Sequence, residues 1–297
     1  MKNRWLINLA LVGIIAVLLL LVKLQPGKEA KPEYPVSQLK PGDIQRIELR
    51  QPGNDAMVFE IIDGNWRMTA PVNARANRFN ISGLLKIAAD KSGLRLALDG
   101  KSATGYGLGS TATRITFNRT EITIGHKHPL KEQRYVQTGD AVLLVSSNSL
   151  RMTENRYTDF LSTSLLEENH KLVALDLGEQ KLQYQNGSWQ LAPTDKNISA
   201  DTINGFINEW RLAHALSVDR YSNKPVQRWI NAVMKTDSGD AKPVTTRLGI
   251  LGYEPEFVLY RPDEALEYRF AADIGNRLLT LKPAAKPEPG TPAKKAD

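Results

Sequence analysis

Asp63-Gly64-Asn65-Trp66-Arg67-Met68-Thr69-Ala70-Pro71 returns later in the chain as Asn186-Gly187-Ser188-Trp189-Gln190-Leu191-Ala192-Pro193, with the two tryptophans 123 positions apart. Each copy follows an alternating apolar stretch and precedes a helical pattern. A repeat at this spacing means one supersecondary plan used twice. The fold class it implies is α+β, with two tandem repeats, each a mainly antiparallel twisted sheet with a packed helix.

Working outward from the first copy, Ile44, Ile47 and Leu49, then Val58 and Ile62, alternate on either side of Pro52-Gly53, as in two antiparallel strands. Asp63-Gly64 supplies the positive φ of a tight turn, Trp66 opens the next strand and Pro71 ends it. Ile81, Leu84, Leu85 and Ala88 then form the apolar stripe of an amphipathic helix. Leu94, Leu96 and Leu98 alternate as a strand, and short strands follow at 114–117, 121–124, 134–137 and 142–145. Ser149 to Leu166 reads as helical. The second copy repeats the order: strands around Leu172 to Tyr184, the Asn186-Gly187 turn, Trp189 and Pro193. A helix capped by Ser199 comes next, with Ile203, Phe206, Ile207 and Trp210 on one face. A short helix from Pro225 to Met234 is expected as an insertion, with strands at 245–251, 256–260, 266–272 and 277–281. The repeats are thus placed at 44–166 and 171–282, and Trp66 and Trp189 are read as structural, each filling a sheet-helix corner.

The ends of the chain differ from its body. The formal charge of +7 resolves into +4 over residues 1–31, +2 over 282–297 and only +1 between them. A nearly neutral body argues against nucleic-acid binding. Trp5 to Val22 has only Asn8 as a polar break, so the expectation is a transmembrane anchor at 5–22 that leads the two repeats. Val22-Lys23-Leu24-Gln25-Pro26 is a poor cleavage context, which argues against a removed signal peptide. The chain has no cysteine, which excludes a lipoprotein anchor and a cysteine nucleophile. The topology expected is single-pass in the inner membrane, N-terminus in the cytoplasm and body in the periplasm. Residues 23–43 read as a Pro-rich tether and 283–297 as a disordered tail.

Trp66 to Pro71, Tyr106-Gly107-Leu108, Ile124-Gly125 and Tyr135-Val136 resemble motifs of the domain-of-unknown-function 4340 family (DUF4340). Tyr157-Thr158-Asp159-Phe160-Leu161 resembles that family's closing motif. The resemblance covers most of residues 44–281 and is carried best by the first repeat. It implies a membrane-anchored extracytoplasmic protein associated with gliding-motility-type ABC transporter systems, in an accessory or interaction role. It supplies no catalytic residues.

Candidate chemistry is sparse. His126-Lys127-His128 is the only His-x-His; on a strand the two rings share a face, but Pro129 and the absence of a third ligand point to a loop. His170 reads as a solvated linker residue and His214 as a buried or boundary histidine. Gly105 to Gly109 lacks the spacing of a dinucleotide or phosphate loop, and no nucleophile elbow is present. Glu167-Glu168 and Asp263-Glu264 are adjacent pairs on turns, whose side chains diverge and make poor acid/base pairs. No catalytic, cofactor or metal residue is assigned, and the chain is expected not to be an enzyme. The function expected is a membrane-anchored periplasmic accessory or scaffold subunit of an envelope complex, an ABC transporter among the options, acting by protein contact. Alternatives are a periplasmic ligand-binding module for a cell-wall or lipid component and an envelope hydrolase with an acidic site. A groove between the repeats, near Tyr106, Tyr135 and Tyr253, is the contact surface expected, with the membrane itself a partner through 5–22.

Overall fold

Asp63 and Asn186 both take φ of 50°, and Gly64 and Gly187 follow at 75° and 83°. Two successive left-handed residues make the two-residue hairpin turn that matches strand twist. Each hairpin then closes on a cis Ala-Pro bond, Ala70-Pro71 and Ala192-Pro193. The duplicated phrase is therefore a duplicated conformation.

The computed structural model describes residues 2–24, 32–98, 102–236 and 242–282. After helix α1 (Lys2–Leu24) and a two-residue strand β1 (Tyr34–Pro35) come β2 (Arg46–Arg50), β3 (Met57–Ile62), β4 (Asn65–Ala70) and β5 (Ala74–Arg75). Next are α2 (Arg78–Ala88), β6 (Lys91–Ser92), β7 (Arg95–Ala97), α3 (Ser102–Gly105) and β8 (Thr113–Phe117). The first half ends with β9 (Thr120–Lys127), β10 (Gln133–Thr138), β11 (Ala141–Ser146) and α4 (Ser147–Leu150). The second half runs β12 (His170–Asp176), β13 (Lys181–Gln185), β14 (Ser188–Ala192), α5 (Ala200–Arg211) and β15 (Ser217–Arg220). It finishes with β16 (Arg228–Thr236), β17 (Val244–Gly252), β18 (Glu256–Arg261), β19 (Leu266–Ala271) and α6 (Ala272–Leu279).

One sheet has the order β5-β4-β3-β2-β8-β9-β10-β11-β7 and the other β14-β13-β12-β16-β17-β18-β19-β15, with all pairings antiparallel. With β5 set aside, the two orders match strand for strand. In each half the helix after the hairpin covers the sheet. Ile81, Leu84, Ile87 and Ala88 are buried on α2, and Ile203, Phe206, Ile207 and Trp210 on α5. Asn77 caps α2 through Phe79 and Asn80 N–H, and Ser199 caps α5 through Thr202 N–H. The two-repeat α+β expectation holds.

The membrane expectation does not. The apolar run folds as α1, but among the described residues no helix is long and apolar enough to cross a membrane. The transmembrane anchor at 5–22, the single-pass inner-membrane topology and the membrane as partner are corrected accordingly. The periplasmic envelope-complex role, with its ABC transporter and ligand-module variants, rests on that placement and falls with it. Residues 25–31 of the expected tether and the tail, 283–297, lie outside the described residues. From Tyr34 onward the chain packs on the first repeat: β1 pairs with β6, Val36 is buried and its N–H bonds Asp90 O at 2.8 Å.

Three element expectations also change. Residues 225–234 are not a helix; 228–236 form β16, with Ile230, Ala232 and Met234 buried on one face. Val226, Ile230 and Met234 are spaced by four, which suits a helical stripe and a strand face equally. Residues 277–281 are not a strand, because Ile274 and Leu278 place α6 there, packed on α5. The helix expected over 149–166 is α4 followed by 3-10 turns at Arg151–Glu154 and Tyr157–Phe160. Beyond Phe160 the Ser-Thr-Ser run extends. Trp66 and Trp189 are half-buried at the rim of the core, and the fully enclosed indole is Trp210, whose Nε1 donates to Leu278 O at 2.8 Å.

Candidate functional site at the seam between the repeats

The extended segment after Phe160 is the seam. Leu161 bridges Ala76 next to β5, and Ser162 N–H bonds Arg75 O at 2.9 Å. Three residues on, the same segment turns to the second repeat: Leu165 N–H bonds Ala213 O at 2.9 Å, and Ala215 N–H bonds Thr163 O at 2.8 Å. A single strand-like linker is thus hydrogen-bonded on one side to each repeat.

Two buried arginines fasten it. Arg75 on β5 donates from Nε to Glu264 Oε1 at 2.8 Å, from Nη1 to Leu166 O at 2.8 Å, and from Nη2 to Ser164 O at 2.8 Å and Tyr268 Oη at 2.9 Å. Its backbone N–H meets the same Glu264 oxygen at 2.9 Å. Arg261, at the end of β18, donates to Leu165 O at 3.0 Å and to Glu167 Oε1 at 2.6 Å. Tyr268 donates to the other Glu264 oxygen. Every carbonyl and charge in this cluster has a partner, the condition under which buried ions are tolerated.

The electrostatics follow. Burial raises the Glu264 carboxyl, but the guanidiniums of Arg75 and then Arg261 overcome it and hold it at about 2. Burial, and then the Glu264 charge, push the Tyr268 hydroxyl upward. Burial works against the Arg261 cation, yet Glu264 and then Asp263 raise it above its ordinary value. None of these groups exchanges a proton near neutral pH.

Outside the cluster a cavity of about 220 Å³ opens on the seam. The first repeat contributes Ile62, Trp66, Arg67 and Arg78, the linker Glu168 and Asn169, and the second repeat His170 and Val244. Ile62 is 39% exposed and Val244 49%, so two exposed apolar side chains stand among the charged and polar residues of the rim. Asn169 Nδ2 donates to Asn65 Oδ1 at 3.0 Å across the seam. The Nδ1 atom of His170 is buried with no partner among the described residues. A second cavity, about 440 Å³, also draws on both repeats, but its Arg220 is engaged with Pro71 O at 3.3 Å and lies over the Tyr157 ring at 5.3 Å.

None of the three tyrosines singled out in the sequence lines these two cavities. Tyr106 and Tyr135 pack together within the first repeat, centroids 4.5 Å apart, with His128 5.7 Å from Tyr135. Tyr253 stands 43% exposed beside Phe257 in the second repeat. His126 lies in β9 rather than a loop, against Gly107, where a Cβ would come within 2.3 Å of its ring. Among the described residues no group of three or more His, Cys, Asp or Glu is placed to hold a metal. His170 is half-buried, not solvated, and His214 is exposed, its Nδ1 3.4 Å from Ser164 Oγ. Glu264 and Arg75 were missed as site residues. One sits on a turn and the other on a two-residue strand, 189 positions apart, and no local pattern joins them.

The family model described as "Domain of unknown function (DUF4340)" matches residues 66–229, more than half of the chain. The match starts in β4 and ends in β16, so it includes Arg75 and the whole linker. No curated protein and no solved structure matches.

Proposed function

Since the chain belongs to the DUF4340 family, whose description names no activity, we propose that it is a non-catalytic protein-interaction module whose contact site is the seam cleft. The observation that carries this reading is the cavity to which both repeats and the linker contribute, with exposed Ile62 and Val244 beside Arg67, Arg75 and Arg78 at its wall. Exposed apolar side chains next to charged donors are the makeup of a contact patch. The buried titratable groups support the non-catalytic half, because they bond one another and are held far from neutral pH. A photoreactive residue at Ile62 tests it in cells. A discrete adduct is expected from Ile62, 39% exposed, and none from the more accessible control Leu130, which is 89% exposed. Equal labelling from both positions, or none from Ile62, contradicts the reading.

A further inference from the structure

We infer that the 220 Å³ seam cavity takes a carboxylate side chain of an acidic peptide, flanked by apolar residues; this rests on the interaction reading above. Several wall groups are already engaged with one another. Glu167 accepts from Arg261 at 2.6 Å and lies 3.5 Å from Arg75. Glu168 accepts from Ser164 Oγ at 3.1 Å and faces Arg78 at 3.8 Å. Every guanidinium nitrogen of Arg75 already donates, to Glu264, Tyr268 or one of two carbonyls. Among the described residues Arg67 has only a 3.5 Å contact with Asn73, and Arg78 only the 3.8 Å ion pair with Glu168, with its side chain 59% exposed.

The wall therefore has spare donors and few spare acceptors. Two guanidinium forks suit a planar, acceptor-only group, which a carboxylate is. Ile62, Trp66 and Val244 supply an apolar surface for the residues on either side of it. The unpartnered His170 Nδ1 is one further polar atom in the same wall. The one wall carboxylate without a partner among the described residues is Asp63, on the β3–β4 turn. It opposes an anionic guest, so its removal should strengthen binding.

The probe is a fluorescein-labelled peptide of alternating glutamate and leucine, read by anisotropy against the full chain, with a glutamine-leucine peptide as control. Wild type should prefer the glutamate peptide by about tenfold or more. Arg67→Gln and Arg78→Gln should each weaken it by about tenfold, and Asp63→Asn should tighten it by about threefold. A purely structural role for these three exposed or half-buried residues would not move affinity in opposite directions. Equal binding of the two peptides, unchanged affinity in Arg67→Gln and Arg78→Gln, or displacement by an equal concentration of inorganic phosphate overturns the carboxylate assignment. If the acidic peptide is inert while Ile62 still crosslinks, the ligand class is wrong and the interaction reading stands; if both fail, both fall.

Discussion

The two repeats agree in strand order, hairpin turn and helix stripe, and they part where they touch each other. Counting back from the helix caps, Asn77 and Ser199, the residue that answers Arg75 is Asn197. In the first repeat Ala76 N–H bonds Trp66 O at 3.1 Å, and β5 pairs with the edge strand. In the second, Ile198 N–H turns back to Asp195 O at 3.2 Å, and β14 ends its sheet. The opposite surface differs in the reverse sense. The β10–β11 turn is two residues, Gly139 and Asp140, whereas the β18–β19 turn runs over 262–265 and carries Glu264. Each repeat thus carries one half of a head-to-tail contact, and the unused counterpart surfaces have no arginine at 197 and only an exposed carboxylate, Asp140, on the shorter turn. Such a contact closes within one chain instead of propagating to another copy.

The largest expected effect comes from breaking the half that only the first repeat has. Arg75→Ala removes the nearest cation from Glu264, whose side chain is 0% exposed, and leaves it only Arg261 at 3.7 Å and the Tyr268 hydroxyl. The cost should be about 3–5 kcal/mol in urea unfolding. Asn197→Ala, at the answering position, should stay within about 0.5 kcal/mol, as exposed substitutions do. Similar losses at the two positions would refute the asymmetry.

Acid sharpens the same point from the other half. Glu264 is depressed from 4.5 to about 2 in the folded chain. Its contribution is therefore complete above the unfolded value and is lost as pH falls through the folded one. For a carboxylate this deeply buried the loss amounts to roughly 3 kcal/mol between about pH 5 and 2. Glu48, bonded to Arg46, and Asp176 are also lowered, so other losses overlap this window. The readout is the difference between wild type and Glu264→Gln. The variant should start less stable and lose less on acidification, and parallel pH profiles would dismiss the role.

Much of the fold was legible because it is written locally. Asp63-Gly64 and Asn186-Gly187 demand one turn, and stripes at 81, 84, 85, 88 and 203, 206, 207, 210 demand one helix. What misled was spacing shared by two periods, as at Val226, Ile230 and Met234, and apolar density without a fixed period, as at 149–166. The seam was illegible for a different reason. Asp263 and Glu264 were read as neighbours on a turn that diverge, and they do: their side chains are 52% and 0% exposed. Nothing local says that the second one points inward, because its partner is 189 residues away. The expected groove was placed near Tyr106, Tyr135 and Tyr253, whereas the seam cavity is lined by Arg67, Arg78 and Val244, which tertiary placement alone brings to one wall.

The smallest expected effect is the finest test of the duplication, and it turns on sign. Gly83 in α2 and Gly205 in α5 hold the same position, six residues after their caps. A Cβ on Gly83 would lie 2.7 Å from Met152 Cγ, whereas one on Gly205 would meet nothing within 4 Å. Alanine in a helix interior is better than glycine by about 0.8–1 kcal/mol, and overpacking costs about 1–3 kcal/mol. Gly205→Ala should therefore stabilise by up to about 1 kcal/mol, while Gly83→Ala should be destabilising once Met152 is displaced. Thermal melts of the two variants read the difference. The contrast arises because the first repeat closes with a 3-10 turn that lays Met152 on its helix, while the second closes with α6, whose Gly275 packs on Phe257 and leaves Gly205 open. If both alanines stabilise, Met152 is not seated as described, and the α2 face of the first repeat is as open as its counterpart.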